Sequence, residues 1–77
     1  MFESIRSYFR LNRLAKAIYE AQQNQYPTFV QAAQACHKLI RKTRKDYSIV
    51  KHQQDEVYWV VRAKSAKALA QEGHTIL

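Results

Sequence analysis

YSIVKHQQDEVYWVVR, residues 47–62, is the stretch of sequence that decides the fold. Its two arms, residues 47–52 and 57–62, are rich in β-branched and aromatic side chains, and a polar break at 53–56 separates them. Before Asp46, hydrophobic side chains recur with a helical period, whereas after it they alternate with a period of two. The pattern predicts a β-hairpin in a chain that is otherwise helical.

The length of the polar break also predicts which residues of the hairpin face each other. On one side the expected pairs are Val50 with Trp59, His52 with Val57, and Ser48 with Val61. On the other side they are Ile49 with Val60, Lys51 with Tyr58, and Tyr47 with Arg62. Because the first side is the more apolar, it is assigned to the core. The second side mixes aromatic residues with cations and is expected to be partly open.

Residues 28–43, before the hairpin, are predicted to form an amphipathic helix. Thr28 is its expected N-cap, with Gln31 placed three residues later to complete a capping box. The apolar stripe consists of Phe29, Ala32, Ala33, Cys36, Leu39 and Ile40. The opposite face carries amides followed by cations, namely Gln31, Gln34, Lys38, Arg41, Lys42 and Lys45. Cations in a last turn complement the helix dipole, but a row that reaches back to Lys38 exceeds that requirement.

Residues 2–23 are predicted to form a first helix. Its apolar band at helical spacing consists of Tyr8, Leu11, Leu14, Ala15, Ile18 and Tyr19, and its far side carries Arg6, Arg10 and Arg13. Pro27 cannot continue this helix. The connection to the next helix is only four or five residues long, so the two helices are predicted to be direct neighbours.

Residues 64–72 are predicted to form a short last helix. Ser65 is its candidate N-cap, and Gly73 is its expected C′ residue. Residues 73–77 are expected to form a tail. The predicted fold is therefore α+β, in the order α-α-β-β-α, with residues 1–77 forming a single small domain.

The charge of the chain is unevenly distributed. Thirteen Lys and Arg stand against six Asp and Glu, for a net charge of +7. Residues 4–45 hold nine of the basic residues and a single acid, whereas the rest of the chain is nearly balanced. Such an asymmetry predicts an anionic partner, which is nucleic acid, an acidic protein surface or a membrane surface.

Residues that carry catalytic or metal chemistry are few. Cys36 and His37 are adjacent, but a zinc site needs four ligands at suitable spacing, and His52 and His74 are distant in the chain. Cys36 also lies on the apolar stripe, where a free thiol behaves as a small hydrophobic residue. With one glycine, the chain has no Gly-rich phosphate loop. We expect no enzyme activity, no metal and no cofactor, and the single cysteine favours a reducing, cytoplasmic location.

Nucleic-acid binding through the second helix is the leading functional hypothesis. Lys and Arg neutralise phosphates, and Gln and Arg are also the residue types that contact base edges. Tyr47, Tyr58 and Arg62 on the hairpin offer a stacking surface for single strands. The candidate binding residues are Gln31, Gln34, Lys38, Arg41, Lys42, Lys45, Arg6, Arg10, Arg13, Tyr58 and Arg62.

Two alternatives remain open. A small protein-binding module, such as an inhibitor or accessory subunit, would present the same basic face, or would accept a partner strand at the hairpin edge. A membrane-surface protein would use the N-terminal arginines, with Phe2 and Phe9 inserted. The Arg-rich, acid-poor first 22 residues also have the composition of an organelle presequence. No apolar run is long enough to span a bilayer.

Overall fold

The computed structural model describes the backbone of residues 2–77 and the side chains of residues 12–77. Its elements are α1 (Phe2–Gln23), β1 (Gln25–Tyr26), α2 (Phe29–Thr43), β2 (Tyr47–Lys51), β3 (Tyr58–Arg62), α3 (Ala63–Gln71) and β4 (Thr75–Ile76). The predicted α+β fold, in the order α-α-β-β-α, is confirmed. Two short strands, β1 and β4, complete a four-stranded antiparallel sheet in the order β1-β3-β2-β4.

The register of the central hairpin agrees with the sequence prediction. Val50 faces Trp59 and Ile49 faces Val60, and the other residues of β2 and β3 also have the predicted partners. Beyond the strands, the His52 amide donates to the Val57 carbonyl at 3.1 Å, which adds the predicted pair next to the loop. A one-residue slip would exchange the two faces of both strands, so burial on either face enforces this register.

Both edges of the hairpin are occupied by strands of the same chain. On one edge, β1 pairs with Tyr58 and Trp59, and the Val60 amide donates to the Asn24 carbonyl at 3.0 Å. On the other, β4 pairs with residues 50–51 of β2, and the Leu77 amide donates to the Ile49 carbonyl. The prediction of a free hairpin edge for a partner strand is therefore wrong over residues 49–51 and 58–60. Residues 73–77, expected to be a tail, supply β4.

The sheet lies between two helical layers. Against one face, α1 and α3 bury Ala17, Ala21, Ala66 and Leu69 together with Val50, Trp59 and Val61. Against the other, α2 buries Ala32 and Cys36 together with Val60. The second hairpin face is partly open, as predicted: Val60 is buried, Tyr47 and Tyr58 are half-buried, and Arg62 is exposed. The prediction that α1 and α2 are direct neighbours is wrong, because they lie on opposite sides of the sheet. The physical reason is that both hairpin faces carry apolar residues and each needs a cover.

The inward face of α1 differs from the predicted apolar band. Ala17 and Ala21 are fully buried, whereas Ile18 and Tyr19 are 39% and 67% exposed. Alanines permit close approach of α1 to α3, so the small side chains rather than the large ones form this contact. Ala15 is also exposed. Leu14 is half-buried and packs against this cluster, as predicted. Tyr8 and Leu11, the last two members of the band, lie outside the described side chains.

The inward face of α2 is narrower than the predicted stripe. Ala32 and Cys36 are buried, while Phe29 and Ile40 lie at its margins and are 47% and 40% exposed. The predicted N-cap is confirmed, because the Gln31 amide donates to Thr28 Oγ1 at 3.2 Å. The helix is therefore fixed at its start by a local hydrogen bond and along its length by burial against Val60.

Cys36 is expected to react slowly with a thiol reagent in the native protein and rapidly after denaturation. The side chain is 9% exposed, and burial raises the pKa of its thiol. Both effects reduce the supply of accessible thiolate, which is the reactive form. Labelling rates measured with and without denaturant test this, and equal rates in both states would contradict the buried placement of α2.

The start of α3 is fixed by a residue of α1. One carboxylate oxygen of Glu20 accepts from the Arg62 amide at 2.6 Å, and the other accepts from the Ser65 hydroxyl at 2.6 Å. Arg62 is the N-cap residue, so the prediction that Ser65 caps the helix is wrong. A carboxylate at a helix N-terminus also complements the helix dipole. At the other end, Gly73 has the positive φ of 102° expected at C′.

Two histidines and the only tryptophan pack together beside β4. The rings of His52, Trp59 and His74 have centroids 4.8 to 5.1 Å apart. The Gln53 amide donates to His74 Nδ1 at 3.2 Å, which joins the hairpin loop to the residue that precedes β4. An Nδ1 that accepts a hydrogen bond belongs to a neutral imidazole with its hydrogen on Nε2.

Acidification is expected to destabilise the fold through His74. Burial and the neighbouring His52 lower the pKa of His74 below its ordinary 6.5, and Glu72 opposes the shift. The unfolded chain therefore binds more protons than the folded one as the pH falls from 6.5 through the lowered value, so the free energy of unfolding decreases there. Urea midpoints measured at about pH 7.5 and about pH 5.5 test this, since those values bracket histidine titration. His74→Gln is the control and should show a smaller decrease; an equal decrease would assign the effect elsewhere.

Candidate anion-binding surface

The outward face of α2 and the turn after it carry a row of cations that we call the basic ridge. Lys38, Arg41 and Lys42 lie on the helix, and Lys45 lies just beyond its C-cap residue, Arg44. All four side chains are exposed, as are Gln31 and Gln34 nearer the start of the helix. For the residues on the helix this placement agrees with the sequence prediction, because α2 contacts the sheet through Ala32 and Cys36 on its opposite side. Lys45, predicted on the same helix face, follows the end of the helix instead. The ridge thus faces solvent along the second half of the helix.

The turn that ends α2 places a further cation beside the ridge. Arg44 adopts the left-handed conformation, with φ 58° and ψ 32°, and its amide donates to the Ile40 carbonyl at 2.8 Å. The Thr43 hydroxyl donates to the Leu39 carbonyl at 2.7 Å and accepts from the Lys45 amide at 3.3 Å. These bonds fix the turn. Arg44 was not among the predicted site residues, because its position depends on this backbone conformation.

An open cleft of about 390 Å³ lies where the end of α2 meets the start of α3. We call it the junction cleft, and its walls are Arg44, Lys45, Asp46, Arg62, Ala63 and Lys64. The Ala63 amide donates to the Asp46 carbonyl at 3.2 Å, which joins the two walls. The cleft therefore brings Arg62, a predicted site residue, next to the ridge residue Lys45.

A second, larger depression of about 770 Å³ runs between α1 and α3. We call it the helix groove, and it is lined by Asn12, Arg13, Leu14, Lys16, Lys64, Ser65, Lys67, Ala68, Gln71 and Glu72. Four of these residues are cations, including the predicted Arg13. Lys64 lines both this groove and the junction cleft. The basic surface therefore continues from α2, around the end of the sheet, to the opposite helical layer.

The cations of the basic ridge and the junction cleft have no carboxylate within ion-pair distance among the described side chains, residues 12–77. Within that part of the chain, the single contact of ion-pair length joins His52 to Asp55 at 3.9 Å, and both lie next to the hairpin loop. Glu20 is occupied by the Arg62 amide and the Ser65 hydroxyl. No ion pair between described side chains therefore neutralises the ridge or the junction cleft, and Asp46 is the one carboxylate residue among the walls of the cleft.

The acidic residues of the hairpin loop lie at the other end of β2 and β3. Asp55 and Glu56 are exposed there, and Gln53 Nε2 donates to the Glu72 carbonyl at the end of α3. The junction cleft, in contrast, lies where β2 begins and β3 ends. The charge is thus polarised along the strands, which favours one orientation toward an anionic partner.

The remaining predicted site residues do not join this surface. Tyr58 is half-buried beneath α2, with its ring centroid 6.1 Å from that of Phe29 and Lys51 Nζ 5.8 Å from it. Tyr47 is likewise half-buried against α2. α2 therefore covers part of this face and limits the access of a single strand to both rings, so the stacking surface of Tyr47, Tyr58 and Arg62 stays a prediction. Arg6 and Arg10 lie outside the described side chains, as do Phe2 and Phe9.

Comparison with models of protein families, with curated proteins and with solved structures gives no match. Over residues 12–77, no three His, Cys, Asp or Glu side chains come together as metal ligands would. None of the helices, over the part of the chain described, combines the length and apolar character needed to cross a bilayer. Function is therefore inferred from the basic surface itself.

Proposed function

We propose that this protein binds nucleic acid through the basic ridge and the junction cleft, without catalysing a reaction. The observation that carries the proposal is the continuity of exposed cations from Lys38 to Lys64 across two helices, with no carboxylate at ion-pair distance among the side chains of residues 12–77. Each Lys or Arg that neutralises a phosphate releases condensed counterions, which supplies most of the affinity of nonspecific nucleic-acid binding. The free thiol of Cys36 fits a reducing compartment, so the proposal includes a cytoplasmic location.

A charged polymer fits this surface better than a compact anion would. The ridge extends along the second half of α2, and the cleft continues it through Lys45 and Arg44. Cations three or four residues apart on a helix face, such as Lys38 with Arg41 and Lys42, have Cβ atoms about 5 to 6 Å apart and form a row rather than a single point of charge. A rigid scaffold also holds the cations in place, because α2 is anchored by burial of Ala32 and Cys36 against Val60.

The proposal is tested by the salt dependence of binding. Single-stranded DNA, single-stranded RNA and duplex DNA are titrated with the protein at about 50 mM and about 200 mM salt, the range over which phosphate contacts lose most affinity. If four to six phosphates are contacted, the slope of log K against log salt should be about −3 to −5. Absence of binding at the lower salt concentration would contradict the proposal.

Protein binding is the second candidate function. It is favoured by apolar side chains that the fold leaves uncovered, with Tyr19 on α1 67% exposed and Val30 on α2 64% exposed. Val30 lies next to Gln31 and Gln34 on the outward side of α2, so an acidic partner would meet both apolar and basic groups. Polyglutamate in the same salt series separates the candidates: binding of polyglutamate without binding of nucleic acid would favour the protein partner.

A further inference from the structure

The junction cleft concentrates more positive charge than a single phosphate of a polymer backbone requires. Four cations line it, from Arg44 to Lys64, and Asp46 is the one carboxylate among its walls, which leaves a formal side-chain charge of +3. Its volume of about 390 Å³ lies within the range of small-ligand sites. An internal phosphodiester carries a charge of −1, whereas a phosphomonoester carries about −1.5 to −2 at pH 7.

The backbone at Arg44 provides an independent observation. A left-handed conformation costs a residue with a side chain roughly 1–2 kcal/mol, and glycine is the usual occupant of this position after a helix. Here the position holds an arginine, with φ 58°, and the turn is fixed by the Thr43 hydroxyl. Strain of this kind persists where the surrounding structure enforces it and is frequent at ligand-binding sites. The guanidinium of Arg44 is suited to binding a phosphate group, because its planar donors bind phosphate oxygens in pairs.

We propose that the junction cleft binds the terminal phosphomonoester of a nucleic-acid strand whose internal phosphates lie along the basic ridge. This inference rests on the proposed function, because the cleft is the end of the same surface. Lys45 belongs to both features, so a strand lying on the ridge delivers its end to the cleft. A phosphorylated protein is disfavoured, since it would leave the ridge cations from Lys38 to Lys42 unmatched.

Removing the negative charge of Asp46 is expected to strengthen phosphate binding, whereas removing a cation of the cleft weakens it. The Asp46 carbonyl accepts from the Ala63 amide, the residue lines the cleft, and its exposed carboxylate has no ion-pair partner within the described side chains. A carboxylate beside a bound phosphate repels it, so removing the charge strengthens binding. Asp46→Asn keeps the size of the side chain and the backbone hydrogen bond, and is expected to tighten binding of a terminal phosphate severalfold.

The test compares strands of equal length and sequence that carry a 5′-phosphate, a 3′-phosphate, or hydroxyl groups at both ends. The protein is expected to bind one phosphorylated form about tenfold more tightly than the hydroxyl form, a difference of about 1.4 kcal/mol. Arg44→Gly is expected to reduce this preference to about twofold, because one of the charged donors of the site is lost. Arg41→Gln removes the same charge from the ridge and should weaken all three strands alike.

The Arg44→Gly variant is expected to fold at least as stably as the parent, since glycine adopts a positive φ without strain. Should it fail to fold, Arg44→Asn replaces it, because asparagine also tolerates this conformation. Equal binding of the three strands by the parent would overturn the inference and leave nucleic-acid binding intact. No binding of any strand would overturn both. A phosphoserine peptide bound as tightly as the phosphorylated strand would assign the cleft to a protein ligand and overturn the inference.

Discussion

Simultaneous replacement of Lys38, Arg41, Lys42 and Lys45 by glutamine is expected to weaken nucleic-acid binding about a thousandfold at about 0.1 M salt. Each phosphate contact with a single strand or duplex contributes about 0.7–0.9 to the slope of log K against log salt, so four contacts correspond to roughly three decades at that concentration. The slope itself should become shallower by about three units. Because the side chains point to solvent, the effect should fall on the binding free energy rather than on the fold.

The matched control conserves charge at the same four positions. Lys38, Lys42 and Lys45 become arginine and Arg41 becomes lysine, and this variant should bind like the parent. The glutamine variant should retain the circular dichroism of the parent. Arg41 and Lys42 lie in the last turn of α2 and interact favourably with the helix dipole, so losing each should lower the free energy of unfolding by about 0.3–1 kcal/mol. A folded glutamine variant that binds like the parent would exclude the ridge as the binding surface.

The amides of α2 are expected to behave differently from the cations. Replacing Gln31 or Gln34 by alanine should change the preference among sequences without changing the salt slope, because amides contact base edges rather than neutralise phosphates. If both alanine variants bind every sequence like the parent, binding is nonspecific. In either case the cations, and not the amides, carry the affinity.

The largest effect on stability is expected for Leu69→Ala. Leu69 is fully buried and is among the largest such side chains, and it lies where α3 meets α1 and the sheet. Removing a buried leucine side chain costs about 2–5 kcal/mol from lost transfer free energy and the cavity that remains. At about 0.05–0.15 kcal/mol per residue, the total free energy of unfolding for a chain of this length is about 4–12 kcal/mol. The variant should therefore lose a large share of its stability.

Urea denaturation followed by the fluorescence of Trp59 measures this loss, since the only tryptophan is 7% exposed and belongs to the same cluster. Leu77→Ala is the matched control. Leu77 is 56% exposed, and its backbone hydrogen bond to Ile49 does not depend on its side chain. The control should change stability by less than about 0.5 kcal/mol. Similar losses in both variants would contradict the assignment of Leu69 to the core.

Local patterns in the sequence determined several parts of this structure. The hairpin register followed from the alternation of residues 47–62 and the length of their polar break, because strand pairing across a short loop is a local property. The cap at Thr28 and the C′ position of Gly73 are likewise set by neighbouring backbone groups. Exposure of Lys38, Arg41 and Lys42 followed from the helical period of α2, since cations do not replace alanines against a sheet.

Tertiary contacts decided what no local pattern could. Helical periodicity indicates a face but not its partner, so it did not reveal that α1 docks through Ala17 and Ala21 or that α2 covers the opposite face of the sheet. Glu20 fixes α3 from 42 and 45 residues away, at Arg62 and Ser65. The junction cleft arises in the same way: the end of one helix and the start of another meet only because the sheet between them sets their positions. The two groups of residues that line the cleft are close in space and far apart in sequence.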